Sequence, residues 1–166
     1  MSYGSAEEIL KLARIFMESR ILISGAESNL FTILSQEALT AKQVSHKTGY
    51  DLRALTILLD ALAAMGLLNK QHDTYPCLPS LTPFLSGDCP SSVLPMVLHA
   101  AHLWRRWSHF TDVVKRTKES EDTFNPPRNT DEMHSFIGAM HVVAQPRVRE
   151  IVAAVNPGSA KVLLDV

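Results

Sequence analysis

Seven histidines are the first residues in this chain with the means to do chemistry. His99 and His102 stand three apart and His109 follows seven further on, a spacing that sets imidazoles near one face of a helix. A zinc site needs three or four protein ligands. The stretch adds only Asp112, with no thiolate or second carboxylate at matching spacing, so these histidines read as surface or interface residues and no metal is assigned. Cys77 and Cys89 have no base beside them in sequence, and no Gly-x-Ser-x-Gly elbow occurs, so neither nucleophilic route has its parts.

A second group is more informative. Phe136, Met140 and His141, with Trp107 from an earlier helical stretch, admit two readings. On one they are core residues at helical spacing plus one satisfied histidine. On the other they form one wall of an apolar pocket, where a flexible thioether and aromatic faces suit a flat organic molecule and His141 hydrogen-bonds an oxygen. Asp165 ends the apolar run Val162, Leu163, Leu164, Val166. A short polar residue at that place commonly begins a turn.

The elements that must position these residues are mostly helical. Ser5 and Glu8 make a capping box, and Ile9, Leu10, Leu12, Ile15 and Phe16 follow at helical spacing, so a helix is expected from about residue 5 to 27 with an unusually wide apolar face. A short helical stretch covers residues 30–34. Thr40 and Gln43 repeat the capping box, Gly49 closes that helix, and Asp51 caps another that ends at Gly66. In it Leu52, Leu55, Leu59, Leu62 and Met65 mark the core stripe, extended by Ile57 and Leu58. Two helices joined at Gly49-Tyr50 predict a helix-turn-helix. Residues 67–78, with a polar Gln71-His72-Asp73 tip, predict a β-hairpin wing in which Pro76 and Pro79 are confined to an edge strand or to the strand's end.

Ser80 is expected to cap a short helix through Leu85. Helical spacing resumes in two pieces over residues 91–117, residues 118–129 read as a loop, and Thr130 or Asp131 is expected to cap a last helix that Pro146 kinks or splits. Val162 to Val166, entered from Pro157-Gly158, has the pattern of a strand buried on both faces. Alone it has no parallel neighbour, so the tail is expected to be disordered or to pair with another chain's edge.

The 166 residues carry 16 basic and 17 acidic side chains, a formal net charge of -1, and 46% hydrophobic residues. That balance gives no global attraction to nucleic acid or anionic membrane. No apolar run approaches the ~20 residues that span a bilayer. The two cysteines and the absence of a signal-peptide pattern fit a reducing, cytoplasmic setting. A winged-helix DNA-binding regulator is the alternative function, but the second helix offers Arg53 against Asp51 and Asp60. Lys42, Lys47, Lys70 and His72 are the other basic contacts available, too few for the ~6–10 phosphate contacts of a tight binder.

In arrangement and in phrases the chain resembles the small-molecule O-methyltransferases that use S-adenosyl-L-methionine. The phrases are Leu39-Thr40-Ala41-Lys42-Gln43-Val44, then Leu52 to Leu62 with Met65-Gly66-Leu67-Leu68, Leu81-Thr82-Pro83 after the wing, Phe136-Ile137-Gly138-Ala139-Met140-His141, and Leu163-Leu164-Asp165-Val166. The resemblance implies a mainly α fold: helices and a winged-helix dimerisation domain over residues 1–90, a helical hairpin and long kinked helix over 91–157, and the first strand of a Rossmann-like cofactor domain over 158–166. It implies a homodimer with interleaved N-terminal helices and a small hydroxylated, aromatic or polyketide-like acceptor bordered by Trp107, Phe136, Met140 and His141. The cofactor is then S-adenosyl-L-methionine, with Asp165 at the entry to a glycine loop beyond residue 166. The cofactor site and catalytic base of that family lie further on, so residues 1–166 alone are expected not to transfer a methyl group.

Overall fold

The computed structural model describes residues 4–115, 129–162 and 164, and its described part is mainly helical. Helix α1 spans Ala6–Glu27, α2 Leu30–Gln36, α3 Ala41–Thr48, α4 Leu52–Ala64 and α5 Thr82–Leu85. Then come α6 (Leu94–Trp107), α7 (Phe110–Lys115), α8 (Thr130–Ala144), a 3-10 turn at Gln145–Arg147 and α9 (Val148–Val155).

The caps explain most of these boundaries. Ser5 Oγ accepts from the Glu8 N–H at 3.2 Å while the Glu8 carboxylate accepts from the Ser5 N–H at 3.0 Å. Hydrogen bonds from the Gly4 and then the Ser5 backbone hold the Glu8 carboxyl below its ordinary value. Thr40 and Gln43 repeat the reciprocal pair at the head of α3. Gly49 and Gly66 take positive φ angles of 76° and 72°, where a Cβ would be strained, and stop α3 and α4. At Gly66 the Leu67 N–H reaches back to the Leu62 carbonyl and the Gly66 N–H to Ala63, which satisfies carbonyls the helix end would leave open. Asn29, at φ 53°, makes the sharp turn from α1 into α2.

Two boundaries and one buried stripe differ from the sequence expectation. Leu81 stands at the N-cap of α5, with Pro83 just inside the helix, and Ser80 does not cap it. Asn129, not Thr130 or Asp131, caps α8, its Oδ1 accepting from the Glu132 N–H at 2.9 Å. Of the stripe read on α4, Leu55, Leu59 and Leu62 are buried but Leu52 and Ile57 are exposed. Ile57 lies two residues beyond Leu55, about 200° around the helix axis at 3.6 residues per turn, which turns it to the far side. Pro146 does split the last helix, at the 3-10 turn. The loop expected over 118–129 falls outside the described residues except for Asn129.

The core gathers where α1, α2, α3 and α4 meet. Leu30, Phe31, Leu34, Val44, Leu59 and Leu62 are the largest fully enclosed side chains. Gly25 makes this possible, since a Cβ there would stand 3.0 Å from the Phe31 ring and 3.1 Å from Leu62. Helix α6 packs on α1 and along α8.

Residues 67–78 form a minimal hairpin of isolated antiparallel bridges, Leu68 with Cys77 and Gln71 with Thr74. Asn69 donates to the Pro76 carbonyl at 2.9 Å, but Pro76 has no N–H to return, so the ladder breaks there. The returning segment is instead tied inward: Tyr75 N–H donates to the Leu39 carbonyl and Cys77 N–H to the Leu34 carbonyl.

Side chains strap the hairpin to α4. Asp60 Oδ1 accepts from Lys70 Nζ at 2.6 Å and from the Tyr75 hydroxyl at 2.7 Å. These bonds, Lys70 first, hold the Asp60 carboxyl below its ordinary 3.8, and Asp60 pushes the Lys70 ammonium up to about 12. A depressed carboxyl stabilises the fold above its unfolded value and loses that contribution as the pH falls through the folded one. Asp60→Asn should therefore lose less stability than the parent chain between pH 5 and pH 3 in urea titrations. Equal acid losses would mean that the strap does not couple to folding.

Candidate functional site

An apolar cavity of about 550 Å³, open to solvent at the exposed Asn29, Ile137 and His141, lies between the α1–α2 turn, the loop of residues 87–92, the start of α6 and α8. Ala26, Leu94, Leu98 and Ile137 give its apolar walls. At its floor Pro95 of α6 meets Gly138 of α8, so closely that a Cβ on Gly138 would lie 2.8 Å from Pro95 Cβ. Its polar groups come from Asn29, Thr32, Ser92 and His141. Thr32 Oγ1 accepts from the Gly87 N–H at 3.0 Å and fixes the loop. Gln145 Nε2 donates to the Pro90 carbonyl at 3.4 Å and lies 3.5 Å from His141 Nε2, tying the 3-10 turn to that loop.

Of the four residues singled out from sequence, His141 lines this cavity, and Trp107, Phe136 and Met140 lie elsewhere on α6 and α8. Phe136 and Met140 share a face of α8, one turn apart, and the Phe136 ring meets the His99 ring edge-on at 5.4 Å. Met140 is 41% exposed. His141, the next residue, turns about 100° away and lines the cavity, which the other three do not. Trp107, at the end of α6 and 63% exposed, packs against Phe110 at 5.2 Å between ring centroids. Asp165 lies outside the described residues. Lys161, Val162 and Leu164 take no regular secondary structure, with Val162 and Leu164 exposed.

Two further arrangements hold these elements in place. Arg106 Nη2 of α6 donates to Glu132 Oε1 of α8 at 2.8 Å, with side-chain exposures of only 16% and 10%. Nothing in the sequence pairs residues 26 apart across the intervening stretch, although a Glu three residues after a capping Asn is a local signal for the head of a helix. Glu27 at the end of α1 accepts from Arg20 and, at 3.0 Å, from Arg105 of α6. Phe16 and Trp104 add an aromatic contact between the same two helices at 5.9 Å.

The histidines of α6 and of the turn into α7 have ordinary partners. His102 Nδ1 is 2.9 Å from Arg105, His109 is 3.5 Å from Asp112, and His99 meets Phe136. Among the described residues no three His, Cys, Asp or Glu side chains come together as a metal site. No described helix is long and apolar enough to cross a membrane. Beside α3 and α4, Lys70 of the hairpin is engaged by Asp60, which leaves still less positive charge for phosphates than the sequence count.

Among the described residues, exposed apolar side chains cluster on several helices, α1 and α9 among them. On the first half of α1, Ile9, Leu10, Leu12, Ile15, Phe16 and Met17 are each about half exposed, between 47% and 58%. On α9, Val148, Ile151, Val152 and Val155 are exposed and no residue is buried.

Comparison with known proteins gives these features a family. Residues 10–84 match the model of the O-methyltransferase dimerisation domain. The tetracenomycin polyketide synthesis 8-O-methyl transferase TcmO of Streptomyces glaucescens is 30% identical over 142 residues, covering 82% of this chain and 42% of that protein. An O-methyltransferase family protein from Burkholderia thailandensis superposes with a TM-score of 0.75 at 24% identity, over 90% of this chain and 46% of that one. Human N-acetylserotonin methyltransferase, solved in complex with SAM, gives 0.74 at 22% identity, over 92% and 50%. The chain thus spans under half the length of the curated relatives it matches. Over residues 10–84 the chain carries the dimerisation domain of the O-methyltransferase family.

Proposed function

We propose that this chain is the dimerising and acceptor-covering region of an S-adenosyl-L-methionine-dependent O-methyltransferase that acts on a small hydroxylated, aromatic or polyketide-like molecule. The observation that carries the reading is the tract of half-exposed apolar side chains from Ile9 to Met17, lying within or beside the stretch that matches the dimerisation model. Contiguous apolar surface of that kind marks an interaction site, and a second copy of α1 offers a self-complementary cover. In this reading α1 interleaves with its counterpart, and α3, α4 and the hairpin are a winged-helix unit used for packing, within a region of residues 1–90.

Residues 91–157 then present α8, with Phe136 and Met140 as an apolar wall for the acceptor, Trp107 flanking it and His141 supplying a hydrogen bond. The name of the Streptomyces relative, a polyketide 8-O-methyl transferase, supports the acceptor class. The cavity beside His141 does not fit S-adenosyl-L-methionine. That cofactor carries sulfonium, ammonium and carboxylate charges, and no Lys, Arg, Asp or Glu lines the cavity. The cofactor site belongs in this reading to the domain entered at residues 158–166, with Asp165 at its edge. Residues 1–166 alone do not transfer a methyl group in this reading, and the protein is cytoplasmic.

Light scattering on a size-exclusion column tests the dimer. At micromolar concentration the chain should elute at twice its own mass, and Ile15→Asp with Phe16→Asp should return it to one. A parent chain that is monomeric under those conditions overturns the reading.

A further inference from the structure

We propose that the cavity between the α1–α2 turn, residues 87–92, α6 and α8 is a binding site for a neutral, ring-sized, largely apolar small molecule, separate from the acceptor wall of Phe136 and Met140. Its volume of about 550 Å³ lies within the range of ~300–1,000 Å³ typical of small-molecule sites and is far larger than the ~30 Å³ that one water occupies. Its lining is mostly apolar, and Lys, Arg, Asp and Glu are missing from it. A charged ligand would give up part of its hydration there without a counter-charge in return. A neutral ring loses nothing comparable.

The polar groups present suit one or two hydrogen bonds from such a ligand. The Asn29 side chain makes no capping bond to α2, and the His141 ring can donate or accept according to its tautomer. Thr32 Oγ1 already accepts from Gly87 and keeps its own proton to donate. The floor resists collapse, because Pro95 rests directly on the bare backbone of Gly138 and neither side has a long side chain to swing inward. Trp107, Phe136 and Met140 lie outside the lining, and His141 is the one residue this site shares with the acceptor reading.

The test is a titration of the ¹⁵N-labelled chain with 2-naphthol, followed by amide shifts. Shifts should centre on Gly87, Gly138 and Val142 and saturate at or below about 1 mM, the range of a well-fitted fragment. Cys89→Trp, which sets an indole into the cavity, should weaken binding by about tenfold or more, as should exchanging the probe for charged 2-naphthalenesulfonate. Met140→Ala should leave it unchanged. Shifts centred on Ile9 to Phe16, equal affinity for the sulfonate, or loss of binding in Met140→Ala each overturn the site. Should Cys89→Trp not fold, the shift map and the neutral and charged probes decide alone.

Discussion

Glu132→Ala should destabilise the chain by about 3 kcal/mol in urea unfolding, because it strands the Arg106 guanidinium between α6 and α8 without its partner. The size follows from burial. At 16% and 10% exposure neither side chain keeps much of its hydration, so removing the carboxylate leaves a largely desolvated cation and an open contact at the head of α8. Much of the cost reflects the orphaned charge rather than the worth of the pair. The double variant Arg106→Met with Glu132→Leu should accordingly recover most of the loss, to within about 1 kcal/mol of the parent. A single variant that loses less than about 1 kcal/mol would show that the pair behaves as a solvent-screened surface contact. Faster amide exchange through α8 should accompany the loss, since this pair and the Pro95–Gly138 contact both join α8 to α6.

Phe31→Ala should cost about 3–5 kcal/mol, the range for emptying an enclosed aromatic site. Phe31 is fully buried at the junction of α1, α2 and α4, its ring lying against Gly25. The neighbours are poorly placed to fill the void, because Gly25 has no side chain to extend. Ile57→Ala is the matching control: the residue is also large and apolar, but 61% exposed, and its loss should stay within about 0.5 kcal/mol. Losses of similar size at both positions would contradict the core described above.

What could be read from the sequence was local. Ser5 with Glu8, Thr40 with Gln43, and Gly49 and Gly66 each act within a few residues of their own position, so their types and spacing state where a helix begins or ends. Pro146 is of the same kind. Asn129 was overlooked in favour of Thr130 and Asp131, all three being able to cap, and only the three-residue reach to the Glu132 N–H selects among them. Periodicity marked Leu55, Leu59 and Leu62 but overreached to Ile57, since an apolar residue in an apolar run gives no sign of its azimuth.

The candidate site was legible only along α8. The one-turn spacing of Phe136 and Met140 puts them on one face, whereas His141 follows in sequence and turns to a different one. The cavity could not be foreseen from any single stretch. It arises where the α1–α2 turn, the loop after α5, α6 and α8 approach one another, and its floor depends on a proline and a glycine more than forty residues apart in the chain. The Arg106–Glu132 pair is hidden for the same reason.

Because both flanks of the hairpin are held from within, by Asp60 on one side and by the Leu34 and Leu39 carbonyls on the other, its two-residue tip at His72-Asp73 has no structural duty beyond closing the chain. Lengthening a closed loop costs only about 0.6 kcal/mol per doubling. Growth from two residues to eight would cost about 1.2 kcal/mol on that scale, set against anchors that stay in place. The tip is thus the natural port for a grafted peptide or a reporter, and a place where insertions could accumulate in descendants of this sequence without disturbing the helices beneath.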